Sequence, residues 1–331
     1  MPLALLPLEA HPRVIVDWVE IACIVSDFKT YHLSDLARVW DVRKNTEESD
    51  FESVEDATED SFLESVSEEI RFRLECLEDS YPFELSDADE LILRDNLSDG
   101  AVAYLFCLFM SHPDKDEVIN GTVLPVIDNR VRDLFQVCST VAAAGHVSGN
   151  SISFGFPRPD GTGFLEKLRE TYRLFGEGTV RERQLPGTPR NPKDDGVDII
   201  AWQPSVDNAP GKFYFLGQVA SGNNWPGKSM LSILDKFHES WFEVRPASLP
   251  NPSIFIPFHL RPIDDEELND TVRARTVEFG TVFYRLRIPK LVDKGIAAAN
   301  AGFYVERTDE MAQVADWVNS TADAFRAGGR A

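Results

Sequence analysis

Two strand-like segments of the chain each carry an oxygen-bearing side chain of a kind that binds metal ions. Asp198 stands directly before the apolar run of residues 199–202, and Gln218 lies near the end of a second apolar run, residues 213–220. A hairpin brings two such runs side by side. Carboxylate and amide oxygens are the ligands that a hard divalent cation prefers. The sequence therefore predicts a metal site on a hairpin, and metal-assisted phosphodiester chemistry is the leading interpretation.

The segments around this hairpin alternate between helical and strand-like patterns. Phe164, Leu168, Tyr172 and Phe175 recur at helical spacing, and Gly176 follows as a stop signal. The other predicted elements are a helix over residues 227–242, a strand over 253–260, a helix over 264–279, a strand over 281–288 and a helix over 310–326. Such alternation predicts an α/β domain with a mixed sheet over residues 146–331.

This arrangement resembles the restriction-endonuclease-like PD-(D/E)xK nuclease superfamily, in particular the branch whose motif reads D…Q-x-K. In that family a helix carrying a glutamate precedes a hairpin. The first strand offers an aspartate, and the second offers an acid or glutamine with a lysine two positions later. The resemblance covers residues 164–260. It implies a restriction-endonuclease-like mixed β-sheet flanked by helices, and cleavage of DNA with Mg²⁺ or Mn²⁺ as cofactor.

The resemblance assigns roles to individual residues. Asp198 matches the motif aspartate, and Gln218 matches the glutamine that replaces the second carboxylate. Glu166 is the best match to the helix glutamate, with Glu170 one turn later as its competitor. The lysine position is occupied by Ala220, which departs from the family pattern.

A lysine supplied from the following helix is a known solution in this superfamily. Lys228 is placed to act in this way, and Lys236, two turns further on, is less well placed. Asp198 and Gln218 would bind the metal ion, Asp195 is a second candidate metal ligand, and Lys228 would orient the attacking water or neutralise charge. The alternative for the run of acids before the strand is a turn with capping carboxylates.

Several polar residues near the hairpin are candidates for DNA binding. Lys193 and Arg190 precede the first strand and are candidate phosphate contacts, although surface salt bridges explain them equally well. Asn223, Asn224 and Trp225 follow the second strand, where the aromatic ring could stack on a base or sugar. An N-cap with its adjoining hydrophobic residue explains the same three residues.

The net charge of −22 seems wrong for a DNA-binding protein until its distribution is considered. Residues 46–99 contain 20 acidic residues against three arginines. From His146 to the end of the chain there are 24 acidic and 22 basic residues, which is close to neutral. The acidity therefore belongs to one segment and does not exclude DNA from the rest of the molecule.

The first 145 residues are predicted to form an all-α N-terminal domain. Its expected features are an acidic loop-like insertion over residues 46–60, an amphipathic helix after it, and helices over residues 87–110 and 129–144. The exposed sides of the amphipathic helix are expected to carry Glu64, Glu68, Glu69, Glu75 and Glu78. This acidic half is the expected docking surface for a protein partner, and the insertion could repel DNA until it is displaced.

Cysteine, histidine and hydropathy patterns exclude several other classes. Four well-separated cysteines without a C-x-x-C pair favour buried free thiols, and six histidines give no zinc motif. The longest apolar run, residues 101–110, is too short to span a bilayer, and the N-terminus lacks the features of a secretory signal. We therefore expect a cytoplasmic protein with no membrane partner.

Three functions compete at this level. The first is a Mg²⁺-dependent DNA endonuclease, which by analogy with fused nuclease domains could be the effector of a prokaryotic antiviral defence system. The second is a catalytically weak or inactive nuclease-fold subunit that binds DNA or a protein partner, an alternative that Ala220 favours. The third, hydrolysis of a small nucleotide, has no phosphate-binding glycine loop to support it. The sequence leaves a homo-oligomer open.

Overall fold

The computed structural model describes residues 3–8, 10–46, 55–112, 118–120, 124–188, 192–260 and 268–329. The chain divides into two compact units. The first contains Met1–Ile127 together with Ala315–Ala331, and the second contains Asp128–Val314. The predicted boundary at residue 145 thus lies one helix too far along the chain, and the final helix ends in the first unit rather than the second.

The first unit combines helices with a small sheet. Its elements are α1 Pro12–Val25, β1 Thr30–His32, α2 Leu33–Thr46, α3 Glu55–Leu77, β2 Phe83–Leu85, β3 Glu90–Leu93 and α4 Asp99–Met110. The three strands form an antiparallel sheet in the order β1-β3-β2. The expectation of an all-α domain is therefore wrong, and the helix predicted to begin at residue 87 begins at Asp99, after β3.

The acidic segment is more ordered than its composition predicts. Residues 55–60 form the first turns of α3, so the expected insertion over residues 46–60 is at least partly helical, and residues 47–54 lie outside the described part of the chain. Val66, Ile70 and Leu77 are buried, as their spacing predicts. The amphipathic pattern is thus confirmed, and the helix extends N-terminally beyond it.

One acidic residue of α3 was assigned to the wrong side. Glu69 is buried, not exposed, because its Oε1 accepts a hydrogen bond of 2.8 Å from Nε of Arg73. Nη1 of Arg73, itself fully buried, donates to Asp17 and to Glu20, also over 2.8 Å. A buried arginine surrounded by carboxylates is tolerated only when its donors are satisfied. This network ties α1 to α3 and accounts for acids that an amphipathic pattern alone would place in solvent.

The second unit has a mixed sheet flanked by helices. Its elements are α5 Asn129–Val147, β4 Asn150–Ser153, α6 Phe164–Phe175, β5 Thr179–Val180, β6 Ile199–Trp202, β7 Tyr214–Val219, α7 Leu234–Trp241, β8 Phe242–Val244, β9 Pro250–Phe255, α8 Leu268–Phe279, β10 Thr281–Phe283 and α9 Ile288–Asn300, with α10 Met311–Gly329 leading out of it. The predicted mixed α/β architecture is confirmed. The unpredicted elements are β4, β5, β8 and α9.

The main sheet has the order β10-β9-β7-β6-β4. Strands β4, β6 and β7 are antiparallel neighbours, whereas β7, β9 and β10 run parallel to one another. The predicted hairpin is present, with Ile199 opposite Gly217 and Trp202 opposite Tyr214. Because β6 and β7 are antiparallel, the start of β6 lies beside the end of β7.

Alternation along the strands gives the sheet two apolar faces. On one face, Tyr214 and Leu216 join a core to which α6 contributes Phe164, Leu168, Tyr172 and Phe175, and α7 contributes Phe237 and Trp241. On the other face, Phe215 lies beside His146 of α5 and beside Phe283 of β10. Helix α6 has the predicted bounds and ends at Gly176, whose φ of +77° is a left-handed conformation suited to glycine.

Helices α5 and α9 approach so closely that only glycine fits at their crossing. A methyl group on Gly145 would lie 1.9 Å from the carbonyl oxygen of Leu291, and one on Gly295 would lie 2.0 Å from that of Val141. These two positions have ordinary φ angles, so the constraint is the space between the helices rather than the backbone conformation. The crossing fixes α5 against the sheet.

Two further expectations concern the cysteines and the membrane. Cys23, Cys107 and Cys138 are buried, Cys76 is partly buried, and all four are free thiols, as predicted. In the parts of the chain that the structure describes, the helices are too short or too polar to cross a bilayer.

Substituting Gly145 should test the helix crossing. Gly145→Ala forces α5 and α9 apart, and we expect the free energy of unfolding to fall by about 3 kcal/mol, the upper range for an overpacked core. Chemical denaturation followed by circular dichroism measures this loss. Gly227→Ala is the matched control, because no atom lies within 4 Å of the added methyl group and φ is not positive. Equal stability of the two variants would contradict the close crossing.

Candidate active site

Asp198 lies where four elements meet. Its backbone carbonyl oxygen accepts hydrogen bonds from the N–H groups of Phe154 and Gly155, over 2.7 and 3.0 Å, and from Nε2 of Gln136 on α5, over 2.7 Å. Its own N–H donates to the carbonyl oxygen of Gly217 on β7. The main chain of Asp198 is therefore fixed from the end of β4, from α5 and from β7, which restricts where its side chain can lie.

The Asp198 carboxylate substitutes for a missing strand partner. Strand β7 continues past the start of β6, so the N–H of Val219 has no backbone acceptor on that side. Oδ2 of Asp198 accepts this N–H over 2.8 Å. The other oxygen, Oδ1, faces Gly155, where a Cβ atom would approach it to 3.0 Å. A side chain at residue 155 would crowd both this oxygen and the Gln136 amide, whose Cδ and Oε1 would lie 3.3 Å from the same Cβ atom.

The surroundings of Asp198 disfavour its negative charge. The pKa of its carboxyl is raised from 3.8 to about 7, mainly by burial and also by the negative charge of Asp194. The hydrogen bond from Val219 and the positive charge of Lys228 act in the opposite direction but do not balance these effects. Near neutral pH the carboxyl is therefore only partly ionised, and a bound cation would stabilise its ionised form.

Gln218 lies beside Asp198 on the hairpin. Asp198 contacts both chain neighbours of Gln218. Its N–H donates to the carbonyl oxygen of Gly217, and its Oδ2 accepts the N–H of Val219. By alternation, the Gln218 side chain shares the face of Tyr214 and Leu216. The two sequence-predicted oxygen donors thus lie at one end of the neighbouring strands β6 and β7, with Asp198 directly before β6 and Gln218 on β7.

Lys228 reaches the site by charge, although it does not lie on an α-helix. The predicted helix over residues 227–242 is two 3₁₀ turns followed by α7, and Lys228 ends the first of these turns, Trp225–Gly227. Its positive charge acts to lower the pKa of the Asp198 carboxyl. Ala220 is fully buried, so a charged side chain in its place would be enclosed by apolar atoms, whereas Lys236 is exposed on α7.

Glu166 is not the helix residue that contacts Asp198. It is exposed at the start of α6, where its Oε2 accepts the N–H of Gly163 over 3.4 Å and caps the helix. Glu170 is also exposed on α6. The helix that packs beside Asp198 is α5, and the residue that contacts it is Gln136. The resemblance assigned the helix glutamate to α6, the helix that precedes the hairpin in the chain, but the helix whose side chain contacts Asp198 is α5; a catalytic role for Glu166 stays a prediction.

Asp195 has a structural role that was not anticipated. Its Oδ2 accepts a hydrogen bond of 2.7 Å from the indole N–H of Trp241, which anchors the turn to α7. The acid whose charge acts on Asp198 is instead Asp194, whose Oδ1 accepts the N–H of Gly196. Asp194 is thus the acid whose charge affects Asp198, and metal binding by Asp195 stays a prediction.

The expected aromatic contact to DNA is also used within the protein. Trp225 packs against Phe279 with ring centroids 5.2 Å apart and lies under the guanidinium of Arg275 at 5.4 Å. Its ring is partly buried and packed against Phe279, and its stacking on a base stays a prediction. Asn223 and Asn224 are exposed beside it, and their contact with DNA stays a prediction.

The two basic residues predicted to contact phosphate differ in what can be said of them. Lys193 is exposed and directly precedes Asp194, so its position agrees with a phosphate contact near the site. Arg190 lies outside the described residues.

Sequence reasoning missed two residues that hold the site, Gln136 and Gly155. Gln136 is a buried polar residue in an otherwise apolar stretch of α5, and that contrast was the available signal. Gly155 gave no usable signal, because its importance depends on the distance to Asp198.

Comparisons of the chain with protein-family models, curated proteins and solved structures find no match. Across the described residues, no cluster of three or more histidine, cysteine, aspartate or glutamate side chains has the arrangement of a metal site. The donors at Asp198 are a carboxylate, an amide and a second, more distant carboxylate, which is a sparse set. Magnesium is commonly bound by one or two carboxylates, with water and substrate phosphate completing its coordination.

Replacing Asp198 by asparagine should remove a cost to folding. Because its pKa is raised in the folded state, the contribution of the Asp198 carboxyl to stability falls as pH increases from about 4 to 7. The amide keeps an oxygen for the Val219 N–H and carries no charge. We expect Asp198→Asn to leave stability nearly unchanged at pH 4 and to raise it by about 2–4 kcal/mol at pH 8.

Denaturant unfolding at the two pH values measures this difference. Asp207→Asn serves as control, because Asp207 is exposed and its Oδ1 accepts the N–H of Ala209, a bond that an amide oxygen can also accept. A stability gain that is equal at pH 4 and pH 8 would contradict the raised pKa.

Proposed function

We propose that the chain is a divalent-cation-dependent DNA endonuclease with a restriction-endonuclease-like second unit. The observation that carries the proposal is the partly buried Asp198 carboxylate, held by the Val219 N–H beside Gln218, with a pKa raised to about 7. Perturbed carboxyls of this kind, next to further polar and charged groups, are candidates for functional sites. Structural support from such a carboxylate is a less economical explanation, since an amide would hold Val219 without a charge penalty.

The order of elements supports the proposed family resemblance. Helix α5 precedes the antiparallel strands β4, β6 and β7, and the acidic residue stands at the start of β6 with the glutamine on β7. This agrees with a helix preceding a hairpin that carries D and Q. The chain departs from the pattern in having Gln136 on the helix and Ala220 at the lysine position.

The donor set fits a magnesium or manganese ion. Oδ1 of Asp198 and the amide oxygen of Gln218 would hold the ion, and Asp194 would add negative charge nearby. When bound, the ion polarises the scissile phosphate and lowers the pKa of a bound water. Val219 and Gln136 hold Asp198 in position, and the Lys228 ammonium neutralises negative charge that develops on the phosphate oxygens.

A second candidate function is a nuclease-fold subunit that binds DNA or a protein partner without cleaving. Its supporting observation is Ala220, which is fully buried where the family has its lysine. The acidic first unit, with exposed Glu64, Glu68 and Glu75 on α3, is the proposed surface for a protein partner under either function. A role as the effector of an antiviral defence system is a further proposal, made by analogy with fused nuclease domains.

Plasmid nicking separates the two functions. We expect the wild-type protein to relax supercoiled plasmid with Mg²⁺ or Mn²⁺, and Asp198→Asn to be inactive because it loses the charged ligand. Lys228→Ala should lower the rate by about 100-fold, the usual effect of one electrostatic group. Lys236→Ala is the matched control. Lys236 is exposed on the same segment, and the Lys236→Ala protein should cleave like wild type.

The contradicting outcomes are equally specific. Nicking that survives in Asp198→Asn would show that the activity comes from another site or a contaminant. Equal rates for Lys228→Ala and Lys236→Ala would remove Lys228 from the mechanism. Wild-type protein that binds DNA but does not nick it with either metal would favour the non-catalytic function.

A further inference from the structure

An exposed phenylalanine with two cations lies next to the candidate active site. Phe156 is 53% exposed. The ammonium of Lys193 lies 5.7 Å from the centre of its ring, and the guanidinium of Arg158 lies 5.8 Å from it. A large aromatic ring left in solvent among positive charges has no evident role in the core. We propose that Phe156 and Lys193 form a stacking subsite for one unpaired nucleotide beside Asp198.

The position of the subsite follows from the chain on both sides of Asp198. The N–H of Gly155 donates to the carbonyl oxygen of Asp198, and Cα of Gly155 lies beside Oδ1 of Asp198. Phe156 is the next residue, so its Cα lies within about 9 Å of that carboxylate oxygen. On the other side, Lys193 directly precedes Asp194, the acid whose charge acts on Asp198.

Arg158 holds the two parts of the subsite together. Its Nη1 donates to the carbonyl oxygen of Lys193 over 2.7 Å, and its Nε donates to that of Thr162 over 2.9 Å. Arg158 is 9% exposed, so it acts as a brace, whereas Lys193 is exposed and free to meet a phosphate. The ring and the ammonium group are therefore held next to each other and to the site.

The chemistry of these groups selects the ligand. An aromatic ring offers a face on which any base can stack, and an adjacent ammonium pairs with the phosphate of the same strand. Within a duplex both faces of a base are covered by its neighbours, so a ring can stack on an unpaired base without the cost of separating two stacked base pairs. Trp225, the aromatic residue that sequence alone suggested, is only partly exposed and packs its ring against that of Phe279, whereas Phe156 is 53% exposed.

This inference rests on the proposed function only in treating the bound strand as the substrate, and its test is a binding measurement. Fluorescence anisotropy is recorded with labelled 20-nucleotide dT and rU strands and a 20-base-pair duplex. All variants carry Asp198→Asn and are measured in Mg²⁺. This substitution prevents cleavage that depends on Asp198, so the labelled strand stays intact during the binding measurement. Comparison of dT with rU distinguishes DNA from RNA as the source of the unpaired nucleotide.

We expect Phe156→Ala to weaken binding of the preferred single strand by about tenfold or more, the effect of losing one stacked base, with little change for the duplex. Phe156→Trp should retain binding because it restores a stacking face. Lys193→Ala should weaken the single-strand affinity and reduce its dependence on salt. Phe28→Ala is the matched control, because Phe28 is 86% exposed in the first unit and should bind like the parent protein.

The proposal is overturned if the parent protein binds neither single strand, if Phe156→Ala binds as tightly as the parent, or if single-strand and duplex affinities fall equally. Failure of the proposed function has a different signature. If the protein with Asp198 intact binds the strand through Phe156 but does not cleave it, the stacking subsite is supported and the proposed nuclease activity is contradicted. If the wild-type protein cleaves the strand but Phe156→Ala binds it as tightly as the parent, the nuclease activity is supported and the stacking subsite is contradicted.

Discussion

The hydrogen bond between the Asp198 carboxylate and the Val219 N–H is the interaction on which the site depends. It forms because β7 extends past the start of β6, which leaves a strand N–H without a backbone acceptor. A charged side chain fills that position, and three donors from Phe154, Gly155 and Gln136 hold its backbone. Asp198 thus lies directly before β6, and its backbone is held by α5, by β7 and by the residues that follow β4.

The same position creates an electrostatic problem that the protein alone does not solve. Burial and the negative charge of Asp194 raise the pKa of Asp198, and Lys228 with one N–H offsets only part of the effect. A structural hydrogen bond to Val219 could be made by asparagine without this penalty. We therefore propose that a cation binds to this carboxylate, next to Lys193 and an exposed aromatic ring that would suit a phosphate ester.

Local sequence patterns predicted those elements whose structure is determined locally. The run 199–202 and the second run around Gly217 formed the expected hairpin, since two apolar strands with a polar connection have few alternatives. Helix α6 was predicted with its exact limits because Phe164 and Gly176 mark a helical period and its stop. Strand β4 and helix α9 were missed: β4 is short and polar, and α9 follows β10 so closely that one apolar pattern covers both.

Residues whose roles depend on tertiary contacts were beyond local patterns. Asp198 and Gln218 lie next to each other on the predicted hairpin, whereas Lys228 follows a 3₁₀ turn and does not lie on the predicted helix. Glu166 and Asp195 were assigned by spacing along the chain, yet one caps a helix and the other holds Trp241. Nothing in the order of residues distinguishes a carboxylate that faces an indole from one that faces a cation.

The central claim is that the Asp198 carboxyl has a raised pKa and binds a divalent cation. A direct titration of this carboxyl is the simplest test. Carbon-13 NMR of aspartate-labelled protein follows each carboxyl with pH, and Asp198→Asn identifies the signal. The account predicts a midpoint near 7 without divalent ions and a clearly lower midpoint with Mg²⁺, because the ion stabilises the ionised form. A midpoint near 3.8 in both conditions, or one near 7 that Mg²⁺ does not move, would contradict it.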